Sequence, residues 1–191
     1  MPSAMIHLLT AKKFSKDADV LFFIGNVAPD CIKGREAKDI THFRDLALKD
    51  RDYALEKLKK DTDRKDPFQL GILLHLFLDR KWDESAIKDY KRNFTGNDFF
   101  LPYRREIHNI SSYLYHHEDW AKQLWRDMIE VPREKYGTSN IFSADGIRDY
   151  LEYNYIWHNE NNLPFSEYFS RDYVDKFTDE GAREFSLWLN A

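Results

Sequence analysis

The segment that most constrains this chain is the run that follows Asp66-Pro67. An aspartate can accept hydrogen bonds from first-turn amides, and a proline fits the first helical position, so the pair reads as a helix start. Behind it come Phe68, Leu70, Ile72, Leu73, Leu74, Leu76, Phe77 and Leu78, with the pattern running on to about Ile87. Side chains of that kind point outward in nearly every direction around a helix. Such a helix has to be surrounded by others, which places it in the middle of a bundle. It is not a membrane span: the longest apolar stretches, residues 20–24 and 71–78, are far shorter than the roughly 20 residues a bilayer needs.

The rest of the chain is helical in period too. Ser3, as cap, or Pro2, in the first turn, starts a helix carrying Met5, Ile6, Leu8 and Leu9. Residues 18–27 form a short apolar helix that stops at Ala28-Pro29, because the residue before proline disfavours the helical conformation. Residues 31–41, with Gly34 and mixed charges, read as a loop. Residues 51–60 read as an amphipathic helix, and residues 94–100 and 132–140 as loops. Further helices are expected over 103–115, 118–129, 143–157, 166–175 and 178–189. With only 7 glycines and 6 prolines in 191 residues, a turn-rich β sandwich is disfavoured. There is no repeat, low-complexity tract or linker. The expected fold is all-α, a single multi-helix domain over residues 1–191 with seven or eight helices.

Two counts narrow the chemistry. One cysteine, Cys31, allows neither an internal disulfide nor a cysteine zinc ribbon, and suits a reducing, cytoplasmic setting, as does the lack of a signal-peptide layout at the start. A formal charge of −4 argues against a polybasic nucleic-acid binder. Any metal must therefore be held by carboxylates and the 7 histidines.

His75 and Asp79 are spaced i, i+4 on one face of the most apolar helix, where both would be costly to bury alone. A metal ion removes that cost; a buried His–Asp hydrogen bond, or Asp79 set against Arg80 and Lys81, is the plainer alternative. His7 lies among Ile6, Leu8 and Leu9 and is either a core histidine or a ligand. Asp30 follows Pro29 and is either a turn residue or a ligand. His42, in Thr41-His42-Phe43, is either a cap histidine or a ligand.

Taken in order, Ile6-His7-Leu8, Gly25-Asn26-Val27-Ala28-Pro29-Asp30, Thr41-His42-Phe43 and Leu74-His75-Leu76-Phe77-Leu78-Asp79 resemble the zinc-dependent phospholipase C family, which is related to the zinc-dependent single-strand nucleases. The resemblance covers about the first 80 residues. It implies an all-helical fold of that type whose ligands converge from separate helices on a zinc cluster. Asp30, His42, His75 and Asp79 would hold one zinc. His7 would hold a second, with Asp79 bridging, and Asp30 would orient or deprotonate the attacking water. Iron or manganese would accept the same donors.

The chain departs from the family in two places. Met1-Pro2-Ser3 stands where full three-metal members use a processed N-terminal tryptophan, and no histidine has a glutamate four residues later. One or two ions are therefore expected. His108 and His116 are the reserve candidates for an additional metal or substrate contact. They are eight residues apart, about 12 Å along one helix, so at most one could reach a given ion. His117, beside Glu118 and Asp119, and His158, at a helix end, read as structural or solvated. Tyr113, Tyr115, Trp120, Trp125, Tyr153, Tyr155 and Trp157 have helical spacing and read mainly as core, with a cleft for a headgroup or base as the alternative. Arg104 and Arg105 could steer a phosphate or form a solvated patch with Glu106.

The leading expectation is a metal-dependent hydrolase that cleaves a small phosphorylated substrate, a phosphodiester by resemblance, with metal-activated water. The runner-up is a non-catalytic helical protein with a residual or structural metal. An HD-type phosphohydrolase ranks low, since no histidine is followed directly by aspartate.

Overall fold

The structure is a computed structural model that describes every residue except Thr138 and Asn140, and every side chain but theirs and that of Leu48. The loop expected over 132–140 therefore lies partly outside the described residues. Its described part includes a short 3-10 turn, Arg133–Lys135. The described residues form ten α-helices and no strand, so the all-α expectation holds and the expected count of seven or eight was low.

The helices are α1 (Ala4–Phe14), α2 (Val20–Val27), α3 (Arg35–Thr41), α4 (Leu48–Asp61), α5 (Pro67–Glu84), α6 (Ala86–Asn93), α7 (Phe100–His117), α8 (Ala121–Glu130), α9 (Ala144–Glu160) and α10 (Arg171–Asn190). Three starts follow the expected capping chemistry. Ser3 Oγ accepts from Ile6 N, Asp66 Oδ1 from Phe68 N and Gln69 N, and Ser143 Oγ from Gly146 N.

Helix α5 is the axis of the bundle, with Leu73, Leu74, His75, Leu78, Asp79 and Trp82 all buried. Its main neighbour is α2, and the approach is unusually close. A Cβ at Gly25 would run into the Phe68 carbonyl, and one at Gly71 into the Phe22 carbonyl. These two glycines let backbone touch backbone, which brings the Asn26 carbonyl against the His75 ring. Helix α1 lies across this pair and also packs on α10. Trp82 Nε1–H donates to Tyr103 Oη at 2.7 Å, tying α5 to α7. Among the described residues no helix is long and apolar enough to cross a membrane.

Several boundaries differ from the pattern, each for a physical reason. Residues 28–31 do not simply end α2: the chain tightens into a 3-10 turn, Ala28–Cys31, which buries Asp30. The expected loop over 31–41 contains α3, with no residue of its own buried; it starts after Gly34 (φ 89°). Helix α5 ends at Glu84, where the Ser85 hydroxyl bonds back to the Lys81 carbonyl (2.8 Å), and α6 begins after it. The helices expected over 166–175 and 178–189 become one, α10, starting only at Arg171. The buried Glu106 carboxylate accounts for the late start: its Oε2 accepts from Ser166 Oγ, Glu167 N and Tyr168 N, holding that stretch in a turn. No glycine or proline separates Asp175 from Thr178, so nothing interrupts the helix there.

Candidate metal centre

Four elements deliver the site. Helix α1 carries His7, the 3-10 turn after α2 carries Asp30, the end of α3 carries His42, and α5 carries His75 and Asp79. All five residues are buried, with Asp30 the most exposed at 7%. Ligand atoms of His7, His75 and Asp79 lie within 4.8 Å of one another, and so do those of Asp30, His42 and His75. The five residues singled out from the sequence are thus brought together.

The turn after α3 aims two of the site's side chains. Phe43 takes a left-handed backbone (φ 57°), the one non-glycine described to do so. Arg44 N bonds to the Asp39 carbonyl, which closes the helix end in the manner usually reserved for glycine. This reversal turns His42 and Arg44 inward toward Asp79. His42 Nε2 stands 3.4 Å from Asp79 Oδ2, and Arg44 Nη2 donates to the same oxygen at 2.7 Å.

The orientation of the two central imidazoles is settled by what the other nitrogen does. His75 Nδ1 faces the Asn26 carbonyl at 2.7 Å, and His42 Nδ1 faces the Lys38 carbonyl at 2.8 Å. A carbonyl can only accept, so both protons sit on Nδ1. Burial pushes both pKa values below the ordinary 6.5, so the rings are neutral at pH 7. Each Nε2 then carries a lone pair, and the two Nε2 atoms face each other at 3.2 Å. Two lone pairs at that distance repel unless a cation lies between them. Ligand atoms on one tetrahedral zinc, with bonds of about 2.0–2.1 Å, stand about 3.3–3.4 Å apart. The 3.2 Å between the imidazoles and the 3.4 Å to Asp79 Oδ2 fit that edge; Asp30 Oδ1 to His42 (3.7 Å) and Asp79 Oδ2 to His75 (3.8 Å) are slightly wider.

His7 stands apart in one respect. Its ring stacks on His75 with centroids 3.8 Å apart and planes 8° from parallel. Imidazole lone pairs lie in the ring plane, so two parallel rings aim at separate points. His75 also has a single lone pair to give. His7 therefore cannot share one ion with His75. It faces Asp79 Oδ1 at 3.6 Å, beyond hydrogen-bond length. Both His7 nitrogens and Asp79 Oδ1 are buried with no hydrogen-bond partner among the described residues.

The carboxylates are already charged in this setting. Burial alone would raise Asp79, yet the Arg44 guanidinium holds it well below the ordinary carboxylate range. Burial opposes Asp30 in the same way, and the Lys38 ammonium at 2.7 Å from Oδ1 overrides it. On the other side of Asp30, the Tyr150 hydroxyl donates to Oδ2 at 3.4 Å, and burial beside that carboxylate drives the phenol well above its ordinary pKa. Behind Asp79, Asp83 accepts from Arg44 Nε (2.9 Å) and Arg51 Nη1 (2.8 Å).

The other histidines lie elsewhere. His108 is exposed against Trp157, and His116 Nε2 donates to the Asn161 carbonyl at 3.2 Å; neither belongs to the two ligand groups. His117 is an exposed ring stacked on Tyr113. His158 is buried, its Nδ1–H donating to the Asn154 carbonyl (2.7 Å) and its Nε2 accepting from Ser111 Oγ (2.9 Å). Of the aromatics, Tyr115 and Trp125 are core, whereas Tyr153 is exposed. Arg104 lies over Phe100 and Arg105 pairs with Glu106, away from the cluster's contacts. Lys38, Arg44, Tyr150 and the Asn26 carbonyl carry no signal of their own in sequence. Only the i, i+4 spacing of Lys38 and His42 hints that one is tied to the other.

Compared with family models, with curated proteins and with solved structures, the chain matches none.

Proposed function

We propose that this protein is a metal-dependent hydrolase acting on a phosphate ester, a phosphodiester by the resemblance of its first 80 residues to the zinc-dependent phospholipase C family. The reading is carried by the His42 and His75 Nε2 lone pairs facing each other at 3.2 Å beside Asp79. Orphaned His7 nitrogens and the orphaned Asp79 Oδ1 support it independently. Three imidazoles and two carboxylates suit zinc, and iron or manganese could use the same donors.

Asp30, His42, His75 and Asp79 would hold one ion. His7 with Asp79 Oδ1 would serve a second, Asp79 then bridging. A zinc ion in such a set supplies a water of near-neutral pKa and charge stabilisation for phosphoryl oxygens. The chain's own residues do the rest. The Asn26 and Lys38 carbonyls fix the tautomers of His75 and His42, so that Nε2 is the free donor in each. The Arg44 fork holds Asp79 and Asp83 in place. Asp30, at the least buried corner, is the group to orient the attacking water and accept its proton, with the Tyr150 hydroxyl steadying its second oxygen. A charge of −4 gives no bulk attraction for a long polyanion, which favours a small substrate.

One observation favours a second reading. The donors are 0–7% exposed, as they would be around a structural ion without catalysis. The experiment is metal analysis of protein purified without chelator, joined to turnover of bis-p-nitrophenyl phosphate. Bound zinc with turnover supports the hydrolase. Bound zinc without turnover on any phosphate ester supports the structural ion. Folded protein that takes up no transition metal contradicts both.

A further inference from the structure

Lys38 touches the site three times. Its carbonyl receives the His42 Nδ1 proton at 2.8 Å, and its ammonium sits 2.7 Å from Asp30 Oδ1 and donates to the Asp30 carbonyl at 3.4 Å. That oxygen is the one turned toward His42 Nε2, at 3.7 Å. In the protein as described, Lys38 Nζ thus occupies the cation's side of a carboxylate that the preceding section assigns to an ion. The side chain is also 23% exposed, whereas Asp30 is 5% and His42 and Asp79 are 0%. Lys38 is the cation at the boundary between cluster and solvent.

The two guanidinium groups near the cluster are committed. Arg44 spans Asp79 and Asp83, and Arg51 holds Asp83 from behind. Arg44 cannot leave without stranding the buried Asp79 carboxylate. Lys38 differs, because Asp30 has another use. Once Asp30 serves as a ligand, the ammonium loses most of its attraction there and is repelled by the ion. Its four-carbon stem is already partly exposed and can swing toward solvent. A phosphate oxygen entering from solvent would meet it there.

We propose that Lys38 is the phosphate-binding residue of this site, held by Asp30 until an ion claims that carboxylate and then free to pair with the phosphoryl oxygens of the substrate. The proposal rests on the metal reading above and adds the residue that recognises the anion. A lysine suits the task as a compact charge on a flexible stem that can exchange one oxygen for another.

The test uses inorganic phosphate as probe and the full chain loaded with zinc. Zinc stoichiometry is measured first, in wild type, Lys38→Met and Lys38→Arg; phosphate binding is then followed by calorimetry. The expected result is unchanged zinc stoichiometry in all three and tighter zinc binding in Lys38→Met, where the internal competitor is gone. Phosphate affinity should fall by about tenfold or more in Lys38→Met, the scale of a lost hydrogen bond to a charged group, and be largely kept in Lys38→Arg. Wild-type phosphate affinity in Lys38→Met overturns this inference alone, and so does weaker zinc binding there, which would make Lys38 a structural support of Asp30. A wild-type chain that takes up no zinc overturns the metal reading and this proposal with it.

Discussion

Two buried histidine clusters sit in this bundle, and they are built to opposite rules. Around His158 both ring nitrogens are spoken for: Nδ1 donates to the Asn154 carbonyl, Nε2 accepts from Ser111, and the ring packs on Tyr115 and Trp125. Around His75 the same starting motif, a ring whose Nδ1 donates to a carbonyl, leads to the opposite result. Its Nε2 faces another lone pair at 3.2 Å, and its stacking partner His7 has no hydrogen-bond partner on either nitrogen among the described residues. The first ring is satisfied by protein alone. The second leaves lone pairs and buried polar atoms that the described residues do not satisfy. Burial of a histidine is therefore uninformative by itself; what separates a core residue from a ligand is whether the protein satisfies the second nitrogen.

The comparison can be broken most forcefully at Arg44. In metal-free protein it is the counter-charge of the fully buried Asp79, so Arg44→Met should cost about 3–5 kcal/mol, the usual penalty for stranding one member of a buried pair. Saturating zinc should restore much of that loss, because the ion neutralises the same carboxylate. Denaturant unfolding with and without zinc measures both. A loss that zinc does not touch would mean that Asp79 faces no ion.

A smaller effect tests the His158 cluster. Burial sets His158 at about 4 in the folded chain, against an ordinary value of 6.5. As pH falls the unfolded chain takes up that proton first. Stability should therefore be whole above about pH 6.5, decline toward pH 4 and level off below. At about 1.4 kcal/mol per unit the span is about 3 kcal/mol. His158→Gln should flatten this slope in metal-free protein, as followed by unfolding at a series of pH values. A slope that persists undiminished would assign it to other groups.

The smallest effect is Ser111→Ala, which leaves His158 Nε2 buried without its donor. About 1–3 kcal/mol of stability should go, with zinc content unchanged. Any loss of zinc in this variant would merge the two clusters that the geometry separates.

The bundle's central helix and its His75–Asp79 pair were legible in sequence because they are local. A cap, a proline and an i, i+4 spacing all fall within one helix. His7, Asp30 and His42 were legible only through their order along the chain, since each alone is an ordinary core, turn or cap residue. What was illegible is non-local. Helix α3 has no buried face to give it a period, and it is held by Lys38 reaching Asp30 and by the left-handed Phe43. The start of α10 is displaced by a carboxylate, Glu106, some sixty residues earlier in the chain. Arg44 and Tyr150 gain their roles only once the fold sets them beside Asp79 and Asp30. His108 and His116, reserved as further ligands, share a helix with no cluster donor, and nothing in their spacing could have shown that.

The most direct measurement is metal content per chain, in protein purified without chelator and equilibrated with zinc, for wild type, His75→Ala and His158→Ala. One or two ions per chain are expected in wild type and in His158→Ala, and none in His75→Ala. Zinc retained by His75→Ala, or a folded wild type that holds none, would contradict the account.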